Sequence, residues 1–502
     1  MRFAFQCALL LSLSSCNSGG IAIPSGIAGQ PLRTLTAVSD VNPDPRIVEF
    51  DLVALESQVE LQDGTRTTVW TYNGMLPGPL IEANAGDQVV VRFLNLLPEP
   101  TTIHWHGVRL IHAMDGSHAS QHPVATGKTF EYRFTLPDPG LYWYHPHVNG
   151  SRQVARGLYG AIVVHGGSAS AGSDGGQAQG HVPPERVLVL SDIMLDSDSQ
   201  VMDPSAAHQM TPLQHALGHE GNVLLVNGQI EPRIGMRPGS HERWRIVNCC
   251  TSRYINLAIP GQQFTVLGLD SDLAQQPALM DALLLAPGER ADILVSAPEE
   301  SGAATLTALP YSRIHGFEYD PGPPRTLSQI SYSGKLAGNP APVFMHTALP
   351  TAPAIAAERG LQFAAKMDPA LDAVLPREAH MVGHGDAGDG TAEFIINMRS
   401  FPNVPVIEAQ LDTWEQWTIN NHSEMDHPFH LHGFRFLVLD VNGVEPPLRC
   451  WKDTVNLPGS AGGDVTVRLL VSFDGHPGLW PYHCHILHHQ ELGMMAEVNV
   501  TP

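Results

Sequence analysis

The feature that most constrains this chain is a short stretch of metal-binding residue types near its end, His483 to Met494. In an extended strand successive side chains point to opposite faces, so His483 and His485 share one face and Cys484 takes the other. One strand can therefore serve two metal centres. His489 and Met494 follow Cys484 at intervals of five residues. A thiolate, imidazoles and a distant thioether are the ligands of a blue-copper site, which needs one more His than this stretch offers.

The chain also contains an internal threefold repeat. Two copies place a Pro 25 residues ahead of a His-x-His pair: Pro79 before His104 and His106, and Pro405 before His430 and His432. A middle copy, 232–259, has Leu257 and Ile259 at the two histidine positions. This copy therefore retains the pattern of the fold and lacks the ligands.

A second repeat adds two more His-x-His pairs, because 139–147 parallels 477–485. The four pairs are His104 and His106, His145 and His147, His430 and His432, and His483 and His485. Eight imidazoles suit a copper cluster in which three coppers share neutral nitrogen ligands, and His427 then remains for the blue site. The alternatives are a zinc-binding turn or no metal. Zinc favours paired cysteines or closed tetrahedral sets, and a single His-x-His pair alone indicates little.

The strand pattern predicts an all-β chain of three β-sandwich domains. Segments such as Gln88–Phe93 and Val465–Leu470 are short, rich in β-branched residues and bounded by turns, and the 47 Gly and 41 Pro are dispersed. The predicted domains are 34–166, 184–336 and 379–502, joined by a Gly-rich linker at 167–183 and a second linker at 337–378. We expect a short helix near Ala356–Lys366 in the second linker.

The net charge and the first residues allow predictions about the protein's partners and its location. Acidic residues outnumber basic ones 50 to 28, a net charge of −22, which argues against nucleic acid or an anionic membrane as a charge-driven partner. Residues 1–15 read as a secretory signal and end in a sequence that resembles a bacterial lipobox, with Cys16 as the lipidated residue. Ordinary cleavage further on is the alternative. We expect an exported protein, periplasmic or anchored by lipid at Cys16, and a monomer.

The four metal-ligand motifs together resemble those of three-domain, laccase-like bacterial multicopper oxidases, over nearly all of the chain after the signal. The resemblance implies three cupredoxin-like Greek-key β-sandwich domains and four coppers per chain. It assigns the type 1 copper to His427, Cys484, His489 and Met494, the type 2 copper to His104 and His430, and the type 3 pair to His106, His145, His147, His432, His483 and His485. Substrate is then oxidised beside a solvent-facing His489, and electrons pass through Cys484 to reduce dioxygen to water.

Reduction of dioxygen consumes protons, so a carboxylate is expected near the cluster. Asp115 matches the acid that follows the first motif in bacterial relatives, and its alternative role is that of a turn residue before Gly116. Relatives often carry Glu immediately after the last type 1 His. This chain has Gln490 there, although Glu491 is the next residue.

The substrate class is the least constrained feature. The 15 Met are dispersed rather than gathered in a Met-rich insert, which favours a phenol or aromatic amine oxidase over a cuprous or other metal-ion oxidase. A copper-free structural protein of the same fold is disfavoured by the intact ligand set, and a two-domain nitrite reductase by the three repeats. The loop that contains Met202, His208, Met210, His215 and His219 is interpreted as a polar surface loop. The alternative is a weak second copper site. One disulfide is possible among Cys249, Cys250 and Cys450, but the sequence does not assign it.

Overall fold

The structure is a computed structural model and consists mainly of β-strands. The described residues are 29–62, 64–166, 178–179, 183–203, 212–316, 319–338, 342–344, 349, 353–366 and 393–502. The predicted signal segment, Cys16, and residues 379–392 at the start of the predicted third domain lie outside the described residues. The described helices are short: the 3-10 turn His112–Met114 and the α-helices Gly150–Ala155, Pro212–Leu217 and Leu487–Glu491. None of them is long and apolar enough to cross a membrane.

The first domain is a sandwich of two four-stranded sheets. Its strands are β1 (Ile47–Gln62), β2 (Thr65–Tyr72), β3 (Ile81–Asn84), β4 (Gln88–Asn95), β5 (His104–His106), β6 (Thr129–Thr135), β7 (Gly140–His145) and β8 (Gly160–His165). The sheet orders are β2-β1-β4-β6 and β3-β8-β7-β5. Side chains from the inner faces of both sheets, such as Phe50, Val91 and Trp105, form one buried cluster.

The middle domain repeats this order in sheets of six and five strands. After the two-residue strand β9 (Ala178–Gln179), its strands are β10 (Glu185–Ile193), β11 (Val223–Val226), β12 (Arg233–Met236), β13 (His241–Asn248), β14 (Ile255–Ala258), β15 (Phe264–Leu269), β16 (Asp272–Met280), β17 (Ala282–Leu285), β18 (Arg290–Ser296), β19 (Gly302–Leu309) and β20 (Arg325–Tyr332). The orders are β11-β10-β13-β18-β15-β16 and β12-β20-β19-β14-β17.

The last domain has the same arrangement a third time. After β21 (Val343–Phe344), which pairs with β9, its strands are β22 (Ile355–Lys366), β23 (Glu393–Ile396), β24 (Ile407–Gln410), β25 (Trp414–Asn421), β26 (His427–Leu431), β27 (Arg435–Val441), β28 (Trp451–Lys452), β29 (Thr454–Leu457), β30 (Val465–Ser472), β31 (Gly478–Cys484) and β32 (Met495–Thr501). The orders are β23-β22-β25-β30-β27-β28 and β24-β32-β31-β26-β29. The prediction of an all-β chain of three related sandwiches is confirmed.

The helix predicted near Ala356–Lys366 is wrong, because β22 occupies these residues and pairs in parallel with β25. The Ala, Glu and Arg residues of this segment favour a helix when taken in isolation. However, Leu361 and Phe363 alternate with exposed residues and are buried in the last domain's core. Burial of this alternating face outweighs the local helix preference. The predicted second linker therefore contains a strand of the last sandwich.

The three domains share apolar clusters across their boundaries. Trp143 of the first domain packs in one cluster with Val189 and Val247 of the middle domain. Tyr254 and Ala286 of the middle domain belong to the core of the last one. These shared cores fix the outer domains against the middle domain, and the ends of β5, β7, β26 and β31 then meet in one place.

Gly116 allows the loop after β5 to lie against the backbone at the start of that strand. Its φ is +79°, and a Cβ there would lie 1.9 Å from the carbonyl oxygen of Ile103. Gly127 is a matched position, since its φ is +73° and its Cβ would meet nothing within 4 Å. Both alanine variants carry the strain of a left-handed backbone, but only the first adds a backbone clash.

We expect Gly116→Ala to lower the free energy of unfolding by about 1–3 kcal/mol more than Gly127→Ala, the usual cost of overpacking. Urea unfolding of both variants measures the difference. Equal losses of stability in the two variants would show that the loop shifts away from Ile103 at no cost.

Candidate metal centre

Strand register brings the four His-x-His pairs to one point between the outer domains. His104 in β5 lies opposite His145 in β7, and His430 in β26 lies opposite His483 in β31. The second histidine of each pair follows at or just beyond the end of the same strand. All eight imidazoles are buried. The two repeat-related halves of the site therefore face each other across the domain boundary.

The eight rings are in close contact across that boundary. His432 Nε2 lies 3.0 Å from His483 Nε2, and His147 Nε2 lies 3.4 Å from the same atom. The rings of His106 and His430 stack with centroids 3.8 Å apart. Three sets of histidines hold their donor atoms within 4.8 Å of one another: His104, His106 and His145; His104, His430 and His432; and His147, His432 and His483. Each set can hold a metal ion.

Several rings are oriented by a hydrogen bond from one nitrogen to a backbone carbonyl. The Nδ1 atoms of His104, His145, His430 and His483 lie 2.9 Å from the carbonyl oxygens of Asp115, Pro146, Asp453 and Cys484 respectively. A donated Nδ1–H leaves a lone pair on Nε2, which is the arrangement of a metal-binding histidine. Among the described residues, Nε2 of His104, His145 and His430 has no hydrogen-bond partner.

The electrostatics of the cluster keep these lone pairs available. Burial, reinforced by the neighbouring His104, lowers the pKa of His432 to about 4. Burial likewise holds the pKa of His145 and His483 well below the usual value. Neutral imidazoles with unpaired, buried nitrogens are costly unless a cation binds them. Imidazole nitrogen is a suitable ligand for copper, so this set of ligand atoms fits copper.

A second group lies on the other face of β31. Cys484 Sγ is 3.6 Å from Nδ1 of His427 and 3.6 Å from Nδ1 of His489, and the two nitrogens are 3.3 Å apart. Met494 is fully buried in the same core, and its carbonyl accepts a hydrogen bond from the Cys484 N–H at 3.0 Å. Burial raises the pKa of the Cys484 thiol, so a bound metal is needed to hold it as a thiolate.

The expectation of a solvent-facing His489 is wrong. The ring is fully buried, and its Nε2–H donates to the carbonyl oxygen of Ala216 at 2.8 Å. Ala216 belongs to the helix Pro212–Leu217 of the middle domain. Phe394 stacks on the same ring with centroids 3.8 Å apart. Nothing local to His489 predicts this cover, because both neighbours come from distant parts of the chain.

Asp115 lies beside the imidazole cluster. Its carboxylate oxygens accept from Nδ1 of His432 at 3.0 and 3.2 Å, and one of them lies 3.3 Å from Nδ1 of His104. Burial alone would raise the pKa of this carboxyl, but His432 and His104 outweigh it and hold the pKa well below its usual range. The carboxylate thus touches a histidine from each outer domain.

The two residues after His489 point in different directions. The amide nitrogen of Gln490 lies 3.2 Å from His147 Nε2, beside the cluster. Glu491 instead accepts hydrogen bonds from the backbone and hydroxyl of Ser151, at the start of the helix Gly150–Ala155. Glu491 is therefore bound to a helix of the first domain and does not replace a carboxylate at position 490.

Two buried acids beside the candidate ligands were not predicted from the sequence. Asp453 accepts from His106 Nε2 at 3.1 Å, and Asp426 accepts from His315 at 2.7 Å while preceding His427. The available signal for Asp453 was a charged pair, Lys452-Asp453, inside an otherwise apolar strand segment. Arg290, which binds Asp453, gave no such signal because it is the first residue of β18, directly after an ordinary turn of the middle domain.

The remaining candidates do not join either group. Cys249, Cys250 and Cys450 are buried free thiols, so the described cysteines form no disulfide. His219 is buried and belongs to none of the metal-binding sets formed by the described residues. His208 and Met210 lie outside the described residues, as does the side chain of His215, and a second copper site in this loop stays a prediction.

Comparison with known proteins gives a consistent family. Three models described as multicopper oxidase match residues 54–169, 185–313 and 375–502. The multicopper oxidase MmcO of Mycobacterium tuberculosis is 28% identical, covering 97% of this chain and 94% of its own length. A laccase of Bacillus subtilis is 26% identical over 87% of this chain and 90% of its own.

A solved structure agrees with the sequence comparisons. The multicopper oxidase of Campylobacter jejuni, described as a metallo-oxidase, superposes with a TM-score of 0.79 at 29% identity, covering 95% of this chain and 96% of that one. The three family models together span all three sandwich domains, and the buried histidine clusters lie where the first and last of them meet. The chain belongs to the multicopper oxidase family.

Proposed function

We propose that this protein oxidises donors by one electron at a type 1 copper and reduces dioxygen to water at a three-copper cluster, with four coppers per chain. The observation that carries the proposal is Cys484, which lies between two cluster histidines in sequence and contacts His427 and His489 on the opposite face. We assign the type 1 copper to His427, Cys484, His489 and Met494, the type 2 copper to His104 and His430, and the type 3 pair to His106, His145, His147, His432, His483 and His485.

Copper held by these residues would supply the one-electron redox chemistry between the donor and dioxygen. The chain supplies the connection between the two sites. Cys484 is bonded through a few backbone atoms to His483 and His485, and the Nδ1–H of His483 also donates to the Cys484 carbonyl at 2.9 Å. Burial excludes water from this route, and Asp115 holds a carboxylate where protons are consumed.

For the donor we propose phenols and aromatic amines. The reasons are the complete ligand set and the absence of a Met-rich stretch among the 15 methionines of the sequence. Asp426 precedes His427 and binds His315, which is about one third exposed. We propose that this exposed imidazole is a polar group to which a phenol binds near the type 1 site.

A metal-ion oxidase is the second candidate, and one observation favours it. His489 has no exposed surface, and its outer nitrogen is taken by the Ala216 carbonyl. A bulky aromatic donor cannot touch this ring unless the helix Pro212–Leu217 moves. A small cation needs less space. Export and a lipid anchor at Cys16, together with a monomeric state, complete the proposal on sequence grounds.

We expect Cys484→Ser to remove the blue absorbance and the oxidase activity together, and to lower copper from about four to about three per chain, because a hydroxyl is a poor ligand for this site. Cys450→Ser is the matched control, since Cys450 is a buried free thiol of the same domain. Absorbance spectra and copper analysis measure both. Blue colour that persists in Cys484→Ser would remove Cys484 from the type 1 site.

The two donor classes are separated by comparing kcat/KM for 2,6-dimethoxyphenol and for Cu(I), both followed as dioxygen consumption. We expect the phenol to have the higher kcat/KM. The Cys484→Ser protein corrects for spontaneous oxidation of Cu(I). A higher kcat/KM for Cu(I) would reverse the order of the two candidates and leave the copper assignment intact.

We expect Asp115→Asn to leave anaerobic reduction of the type 1 copper by a phenol unchanged and to slow reoxidation by dioxygen at least about tenfold, because an amide cannot relay protons as a carboxylate does. Stopped-flow measurement of each half-reaction provides the comparison. Glu491→Gln is the control, since Glu491 is bound to Ser151 and should leave both rates unchanged. Equal slowing of both half-reactions in Asp115→Asn would indicate defective folding or copper loading instead.

A further inference from the structure

The middle domain has no ligand of its own, yet one of its turns reaches the imidazole cluster. The turn 286–290 leads into β18, and Gly288 lies in it with φ +87°. A Cβ at Gly288 would lie 3.1 Å from ring atoms of both His106 and His485. The turn therefore packs directly against one candidate ligand from each outer domain.

Arg290, at the end of this turn, joins all three domains. Its guanidinium is fully buried and pairs with both carboxylate oxygens of Asp453 in the last domain, at 2.7 and 2.5 Å. Its Nε–H donates to the carbonyl of Leu141 in the first domain at 3.1 Å. A planar two-pronged pair of this kind fixes the orientation of a carboxylate as well as its charge.

Asp453 in turn orients two candidate ligands. Its Oδ1 accepts from Nε2 of His106 at 3.1 Å, and its backbone carbonyl accepts from Nδ1 of His430 at 2.9 Å. Because the Nε2–H of His106 is donated to Asp453, Nδ1 is the ring nitrogen that remains to bind a metal. Nδ1 has no hydrogen-bond partner among the described residues. The Asp453 carboxylate, together with the Thr454 hydroxyl that lies 3.0 Å from the same Nε2 and donates to Asp453, thus decides which nitrogen of His106 is presented.

Asp453 is also close enough to bind a metal itself. Its carboxylate and the nitrogens of His106 and His430 lie within 4.8 Å of one another. A carboxylate freed from its arginine would compete with the imidazoles for the same cation. Lys452 is not free to replace the arginine, since its ammonium lies 3.2 Å from Asp270 and 3.1 Å from Glu289.

We propose that Arg290 is a positioning residue for the copper cluster. By engaging both oxygens of Asp453, it holds this carboxylate as the hydrogen-bond acceptor of His106 and keeps it from becoming a copper ligand. The middle domain therefore contributes a positioning side chain to the cluster, in addition to the turn that packs against it. The inference rests on the proposed three-copper cluster and adds to it a residue from a domain without ligands.

The first test compares Arg290→Gln with Arg243→Gln. Arg243 is a matched control, because it is a buried arginine of the same domain that pairs with Asp292 and Glu185, neither of which is a candidate ligand. We expect Arg290→Gln to weaken cluster copper binding about 10–100-fold, the usual effect of losing a group that orients a metal ligand. Chelator competition measures the affinity, the blue absorbance reports the type 1 site, and electron paramagnetic resonance reports the type 2 copper.

The type 2 signal distinguishes positioning from general stability. We expect its hyperfine splitting to change in Arg290→Gln and to stay that of the wild type in Arg243→Gln, even if both variants lose thermal stability. Arg290→Lys retains the charge without the two-pronged geometry, and should bind cluster copper with an affinity between those of the wild type and Arg290→Gln.

A double variant covers the case in which Arg290→Gln does not fold. Arg290→Gln with Asp453→Asn removes both buried charges, and should recover thermal stability while cluster copper stays weak. Full recovery of the cluster in the double variant, or copper loss in Arg243→Gln equal to that in Arg290→Gln, would overturn the inference. A wild-type protein without cluster copper would instead overturn the proposed function.

Discussion

Burial of eight imidazoles between two domains is the constraint on which the rest of this structure depends. A buried nitrogen without a hydrogen-bond partner costs free energy, and Nε2 of His104, His145 and His430 has none among the described residues. Burial holds the pKa of His145 and of His430 well below the usual value and keeps these two rings neutral, so repulsion between imidazolium ions does not force the domains apart. Metal binding offsets the cost of the unpaired nitrogens and couples copper loading to the packing of the outer domains.

The period-two geometry of β31 links this cluster to the thiol site. Cys484 lies in the core of the last domain beside His427 and His489, while its neighbours His483 and His485 contact His147 and His106 across the domain boundary. Both centres are thereby fixed by one backbone segment, and their separation does not depend on any loop. The pairing of β31 with β26 adds His430 beside His483 by register. Rigid strands therefore position the first histidine of each pair together with His427 and Cys484.

The middle domain has the same fold as the outer domains but a different role. Its strand order repeats that of the outer domains, but Leu257 and Ile259 occupy the histidine positions and are buried in its own core. What it provides lies at its boundaries instead. The Ala216 carbonyl covers His489, and Arg290 binds the acid behind His106. A domain without ligands thus shapes access to one centre and the framework of the other.

The sequence by itself determined the class of fold, the threefold repeat and the twelve candidate ligands, because repeats and ligand spacings are visible along the chain. In an extended segment, a His-x-His pattern places both imidazoles on one face, and a His-Cys-His pattern places the cysteine on the other. Tertiary structure alone decided the rest. The segment Ile355–Lys366 became a strand because its alternating face is buried by β25 and its neighbours.

The same reason explains the other differences. His489 is closed off by a residue 273 positions away, and His106 is tied to an acid 347 positions away, itself held by an arginine at a separation of 163. No local pattern encodes such pairs. Sequence periodicity specified which side chains share a face of a strand, whereas the packing of three domains decided which distant groups those side chains meet.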